Sequence, residues 1–359
     1  MNTVFRVDSS IQIGAGHVMR CLTLAKELKK KSTVQFICRN RKGNLINKIE
    51  SEGFKVFMLS EAAAKDDMDE FSGIDWLGTS QENDAFECIN ILKKIKPDWL
   101  IVDHYGIDNY WHERLNKFSK KLLVIDDLAN RQYNCDILLD QNFYQDTNAR
   151  YKNLVLNKCK LLLGPKYALL REEFLTKYPY SRNAGVNRIL VYFGGSDIKN
   201  NTLKSLEGIQ LSKADVHVDV IIGPDSPYKD EIREFSSSMK NTICFDFVEN
   251  MAEMMNNSDL YIGSAGTTTW ERSCVGLPSI VIGVAENQIK PMEAMRQAGM
   301  AFFLGSEENV TSGNISKLLN SILDNPSVLE KMRKKNLELV DGYGASRCVS
   351  EMLLINGYV

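Results

Sequence analysis

Short apolar runs rich in Val, Ile and Phe alternate with amphipathic stretches along the chain. That alternation predicts an α/β fold in which parallel strands are covered on both faces by helices. In the first half, strands are expected at 3–8, 33–38, 55–59, 99–103, 122–126 and 136–139. A second series opens with "RILVYFGG" at Arg188 and continues through "VHVDVIIG", "TICFDF", "SDLYIGS", "PSIVIG" and "MAFFLG". Between the two, "GPKYALLREEFLTKYPYSRNAG" shifts toward Tyr, Pro, Gly and charge and reads as the crossing between domains. The division expected is 1–165 and 166–344. A last helix, about 345–359, has apolar residues that fit either domain, a return onto the first included. At 359 residues the chain suits two domains of roughly 150 residues each. Two such domains in tandem are expected to face a central cleft where the carboxyl ends of both sheets meet, and function is expected there.

Composition narrows the class of protein. Hydrophobic residues make up 44% and charged residues 25%, with a formal net charge of -2, so the chain carries no electrostatic footprint for nucleic acid. The cluster Arg39, Arg41 and Lys42, beside Gly43, reads as a solvated loop. No leader pattern opens the chain, and no apolar run approaches the ~20 residues of a membrane span. A cytosolic monomer without membrane contact is expected. The 8 cysteines are scattered without a Cys-x-x-Cys pair, and His17, His104, His112 and His217 show no ligand spacing. Buried thiols, no metal site and no cofactor are expected.

The first helix is marked by Val18, Cys21, Leu22, Ala25 and Leu28 on one stripe, with Arg20, Lys26, Lys29 and Lys30 expected to point away. Gly14, Ala15 and Gly16 precede it, as in a dinucleotide-binding turn. The match fails because Met19 stands at the third glycine position and "CRNRKG" replaces the acidic residue that would hold a ribose. What remains is a tight turn that brings backbone near a ligand and presents His17 at the start of a helix. The helix dipole there disfavours protonation and favours a neutral imidazole that can accept a proton from water. The residues alone equally allow His17 to cap the turn or pack on the sheet.

The second domain carries two further glycine-rich joints, "FGGSD" with Gly195 and Ser196, and "GSAGTTTWERSCVGLPSIVIG". In the latter, Ser264, Gly266, Thr267 and Thr268 lie where a helix begins, a place suited to an anion such as pyrophosphate. Thr268 to Glu271 also fits a capping box, in which Glu271 only reaches back to the helix start. Both readings stand on local grounds.

The run from Phe247 to Gln288, "FVENMAEMMNNSDLYIGSAGTTTWERSCVGLPSIVIGVAENQ", resembles the UDP-binding half of GT-B nucleotide-sugar enzymes, particularly the N-acetylglucosaminyltransferases that form lipid II. The resemblance implies two Rossmann-like domains. It also implies uracil read by backbone near Val248, pyrophosphate at Ser264, Gly266 and Thr267, and ribose held by Glu271. Together with "FRVDSSIQIGAGHVMRCLTLA", "IVDHYGID", "GPKYALLREEF", "GGSDIKN" and "ENQ", the chain is similar to the UDP-sugar hydrolases of pseudaminic acid biosynthesis. That likeness implies His17 as general base, and it places Gly14, Gly16, Tyr105, Asn287 and Gln288 near the sugar of UDP-2,4-diacetamido-2,4,6-trideoxy-β-L-altropyranose. Taken by themselves, Tyr105 can pack on its strand end, Asn287 can cap a helix, and His104 reads as a structural histidine. Asp126-Asp127 at a strand end reads as a turn cap rather than a metal pair. No motif is placed in 60–83 or after 305.

Cleavage between phosphorus atoms ordinarily draws on a divalent cation with acidic ligands, and the sequence offers no persuasive ligand set. Displacement at the anomeric carbon, with inversion, asks only for a base and a positioned water. Two other functions remain open: a GT-B glycosyltransferase passing the sugar to an acceptor, and a UDP-sugar binding module without catalysis.

Overall fold

The computed structural model describes residues 1–61, 76–176 and 185–357. The chain divides into two compact units. The first comprises 1–142, 146–169 and 343–359, and the second comprises 143–145 and 170–342.

The first unit is built on a seven-stranded parallel sheet. Its strands are β1 (Asn2–Val7), β2 (Thr33–Arg39), β3 (Lys55–Leu59), β4 (Trp99–Asp103), β5 (Lys121–Ile125), β6 (Ile137–Asp140) and β7 (Lys160–Leu163). The order β3-β2-β1-β4-β5-β6-β7 reverses direction between β1 and β4, whose register pairs Phe5 with Ile101 and Val7 with Asp103. Ligands of open α/β sheets sit beyond the carboxyl ends of strands at such a reversal. Neighbouring strand residues alternate between two apolar layers. Phe5, Val7, Ile101 and Leu123 pack with helix α1 (Gly16–Lys29), while Val4, Leu100, Val102 and Leu122 pack on the opposite face. Burial on both faces explains why these strands read as unbroken apolar runs. The final helix, Gly344–Ile355, belongs to this unit, and its Ala345, Cys348, Val349 and Met352 join the layer that holds α1. Gly344 lets it start there, because a Cβ would come within 2.2 Å of the Ala168 carbonyl oxygen.

The second unit holds β8 (Arg188–Tyr192), β9 (His217–Ile221), β10 (Thr242–Phe245), β11 (Leu260–Ser264), β12 (Ser279–Gly283) and β13 (Phe302–Ser306). The order is β10-β9-β8-β11-β12-β13, again parallel throughout, with the reversal between β8 and β11. Both glycine-rich joints of the second half therefore leave adjacent strand ends. All strands expected from the pattern form, with ends matching or shifted by up to three residues, and β7 is an addition. Its Leu161 to Leu163 run is too short to separate from a turn by periodicity alone.

Two expectations are corrected. Arg20 does not point away from the core but is 6% exposed, because its guanidinium pairs with Asp103 and Asp127 at the carboxyl ends of β4 and β5. Arg39 is 1% exposed and bonds Asp84 and Glu87 at 2.7 Å each, so this part of the basic cluster is no solvated loop. Arg6, Asp8 and Asp84 complete that network, whose charges tolerate burial because each meets an opposite partner.

Candidate active site

In the first unit, the loops after β1 and β4 meet at the sheet reversal. Gly14, with φ +79°, turns the chain, and its N–H donates to the Ser10 carbonyl at 2.8 Å. The space where a Cβ would stand is open. Helix α1 starts two residues later at Gly16, which brings His17 into the first turn.

His17 Nδ1 lies 2.6 Å from Asp103 Oδ1. An ionised carboxylate accepts only, so the contact requires the proton on Nδ1 and leaves Nε2 as the lone-pair nitrogen of the neutral ring. Arg20 donates to both oxygens of Asp103, Nε to Oδ2 and Nη2 to Oδ1, at 2.6 Å each. It also reaches Asp127 at 3.2 Å through Nη1. Burial alone would raise the Asp103 carboxyl. Arg20, and then His17, overturn that and hold it well below the ordinary carboxylate range.

Tyr105 donates its hydroxyl to Asp127 and sets its ring edge-to-face on the imidazole at 4.6 Å. Burial, followed by the Asp127 charge, pushes the phenol up, so it acts as a neutral donor. His104 is structural: its Nδ1 accepts from the Gly106 N–H at 3.1 Å, so Nε2 carries the proton toward Asp8 Oδ2 at 3.1 Å. Asp126 caps the turn after β5 by accepting from the Leu128 and Ala129 N–H groups at 3.0 and 2.9 Å.

In the second unit, Gly194 has φ +89°. Gly223 allows its loop to close in, since a Cβ there would fall 2.2 Å from the Gly195 carbonyl oxygen. Gly194, Gly195 and Gly266 all border open space. Asp197 closes the first joint by accepting from the Asn201 and Thr202 N–H groups at 2.9 Å each. Ser264 ends β11, and Thr267 precedes the short helix Thr268–Cys274 without a side-chain cap. The capping box is therefore not formed. Glu271 instead accepts from Arg171 Nη2 and Nε at 3.0 and 3.2 Å. Burial raises its carboxyl while Arg171 opposes the rise.

Arg272 lies beneath this loop at 1% exposure. Its Nη1 reaches the Ser264 carbonyl at 3.4 Å and its Nε the Ser279 hydroxyl at 3.1 Å. Among the described residues no carboxylate pairs with it, and burial lowers its guanidinium to about 10.

Residues 189–343 match the glycosyltransferase family 28 C-terminal domain. The UDP-2,4-diacetamido-2,4,6-trideoxy-beta-L-altropyranose hydrolase of Campylobacter jejuni is 33% identical over 269 residues, 74% of this chain and 86% of that one. The chain belongs to this hydrolase family. An uncharacterized protein of Methanocaldococcus jannaschii is 32% identical over 79% of this chain, which spans only 55% of that relative's length. The crystal structure of Acinetobacter baumannii MurG superposes with a TM-score of 0.68, covering 98% of both chains at 14% identity, which gives the GT-B fold.

For this member of the hydrolase family, the first unit gathers Gly14, Gly16, His17 and Tyr105, and the second gathers Gly195, Ser196, Ser264, Gly266, Thr267 and Glu271 near adjacent strand ends. Val248 lies in the loop after β10. Asn287 is exposed in the first turn of helix Glu286–Gln297. Gln288 accepts from the Val284 N–H at 3.1 Å, a local bond that fixes this helix start. Sequence reasoning passed over Asp103, Trp76, Arg171 and Arg272, and it read Arg20 as an outward helix residue and Asp127 as part of a turn cap. An aspartate ending the apolar run "WLIVD" was the available signal for Asp103; the others owe their position to partners far along the chain. Part of 60–83, namely 62–75, lies outside the described residues. Among the described residues no group of three or more His, Cys, Asp or Glu forms a metal-type cluster, and no helix is long and apolar enough to cross a membrane.

Proposed function

We propose that this chain hydrolyses UDP-2,4-diacetamido-2,4,6-trideoxy-β-L-altropyranose to UDP and 2,4-diacetamido-2,4,6-trideoxy-L-altrose, a step of pseudaminic acid biosynthesis, by water attack at the anomeric carbon with inversion. The observation that carries the reading is the His17–Asp103 contact, which directs Nδ1–H to the carboxylate and makes Nε2 the nitrogen placed to accept a proton. Water oxygen bonds to the anomeric carbon as Nε2 takes one water proton. The bond from that carbon to the phosphate oxygen breaks, and its electron pair leaves with UDP. Gly14 and Gly16 give the sugar close access to backbone, the Tyr105 hydroxyl, its proton directed to Asp127, accepts from the sugar or the water, and Asn287 and Gln288 serve the sugar side.

UDP is assigned to the second unit: uracil near Val248, phosphates at Gly195, Ser196, Ser264, Gly266 and Thr267, ribose at Glu271. The N–H groups at the start of helix Thr268–Cys274 and the buried Arg272 favour the charge that grows on the leaving group. General-base assistance of this kind supplies about 10²- to 10⁴-fold.

His17→Asn is expected to lower kcat by that range while UDP affinity, measured by calorimetry, stays within about twofold. Turnover near the wild-type rate would remove His17 as the base. In ¹⁸O-water the label should enter the sugar hydroxyl; label in the UDP phosphate would overturn the bond assignment. The family 28 match supports a second reading, transfer of the sugar to an acceptor. Stoichiometric UDP release from the UDP-sugar alone, without acceptor, decides against it.

A further inference from the structure

The chain contains 4 tryptophans. Trp99, Trp111 and Trp270 are at most 2% exposed, as expected of core indoles, whereas Trp76 is only half-buried. It stands beside the candidate base. Its ring centroid is 4.8 Å from that of Tyr105 at an interplanar angle of 71°, and 6.2 Å from the imidazole of His17 at 78°. With the Tyr105–His17 contact at 4.6 Å, three rings meet in one aromatic corner.

The corner is held from several sides. Arg41 Nη1 donates to the Trp76 carbonyl at 3.0 Å, and the next residue, Leu77, is 3% exposed within an apolar layer of the first unit. Gly106 makes room, because a Cβ there would lie 3.1 Å from Trp76 Cβ and 3.3 Å from Leu77 Cβ. A large, half-buried aromatic surface beside the candidate base suits a ligand with an apolar face.

We infer that Trp76 is a specificity-determining residue whose indole forms an apolar wall for the C–H face and methyl groups of an acetamido deoxy-sugar. The inference rests on the UDP-sugar hydrolase reading and deepens it. Tyr105 and His17 serve the anomeric side, while the wall rewards groups that a hydroxylated sugar lacks. An apolar contact of one methyl or methylene typically changes discrimination by about 10- to 200-fold.

The test uses the full chain with Trp76→Ala and Trp76→Phe, both checked for an unchanged melting temperature and near-UV spectrum. With UDP-2,4-diacetamido-2,4,6-trideoxy-β-L-altropyranose, Trp76→Ala should raise KM about tenfold or more and narrow the preference over UDP-N-acetylglucosamine by a similar factor. Trp76→Phe should stay within about threefold. Inhibition by UDP should be unchanged in both. Acrylamide quenching of wild-type fluorescence, with the Trp76→Phe signal subtracted, should fall on adding the UDP-sugar and not on adding UDP. An unchanged KM and preference in Trp76→Ala, or equal shielding by UDP alone, would overturn the proposal. A wild-type chain that shields Trp76 with the UDP-sugar yet releases no UDP would instead overturn the hydrolase reading and leave the wall standing.

Discussion

Asp103 holds His17 and Arg20 with the same carboxylate: Oδ1 takes the imidazole Nδ1 at 2.6 Å while both oxygens take the guanidinium at 2.6 Å. One side chain thereby sets the tautomer of the candidate base and neutralises a buried cation. Asp103→Asn keeps the volume and removes the charge. It is expected to lower kcat by about 10²- to 10⁴-fold, since Nδ1 loses the partner that fixes its proton. Leaving Arg20 without its main counter-charge should also cost about 3–5 kcal/mol of stability. Steady-state kinetics and urea unfolding measure the two effects separately. A variant within threefold of wild-type kcat would mean the imidazole is oriented by other contacts.

A second prediction concerns pH. Tyr151 Oη lies 3.0 Å from Asp140 Oδ2 and 3.1 Å from Asp126 Oδ2, and one hydroxyl proton serves only one of them. Asp126 already has Arg131 and two backbone N–H groups. The Asp140 carboxyl is pushed up to about 7 by burial first and the Asp127 charge next, with the Asn142 N–H and Arg150 opposing, and its protonated form is able to donate the second bond. Between the unfolded value near about 4 and about 7, the folded state binds more protons than the unfolded one. This group's contribution to stability accordingly falls as pH rises through that window. Asp140→Asn should flatten this decline in a melting-temperature series from pH 5 to 8. An unaltered slope would place the proton elsewhere.

Arg272 offers a third test, because a buried cation without a carboxylate partner is costly to fold and useful to an anion. Arg272→Met removes the charge at similar volume. Stability should be unchanged or raised, since desolvation of the guanidinium is relieved, while UDP affinity falls on the order of tenfold. Calorimetric titration with UDP and thermal melting report the two. Loss of stability with full UDP affinity would make Arg272 a purely structural group.

Much of the architecture was legible in the order of residues. Strand runs such as "TVFRVD" and "WLIVD" are apolar on both faces because helices cover both sides of a parallel sheet, and that pattern survives without knowledge of neighbours. The glycine joints were legible for a similar reason: Gly14 and Gly194 hold positive φ, a local demand that sequence displays directly. His17 stood out because a bulky titratable residue is unusual in such a turn.

The partners of those residues were not legible. Arg20 reads as an outward helix residue until the register of β1 and β4 brings Asp103, 83 positions away, under the same helix turn. Trp76 gains its meaning only from Tyr105 and His17, and Glu271 from Arg171, 100 positions earlier. Local capping arithmetic gave Glu271 a helix-start role that its long-range partner displaced. The sequence by itself determined the parallel-sheet units and their turns, since these follow from local periodicity and backbone permissiveness, and it pointed to His17 as a base only through the family resemblance. Tertiary structure alone decided which charges are paired, which nitrogen of His17 faces Asp103 and which aromatic rings gather beside it. Those properties depend on distance and burial between segments that chain order keeps apart.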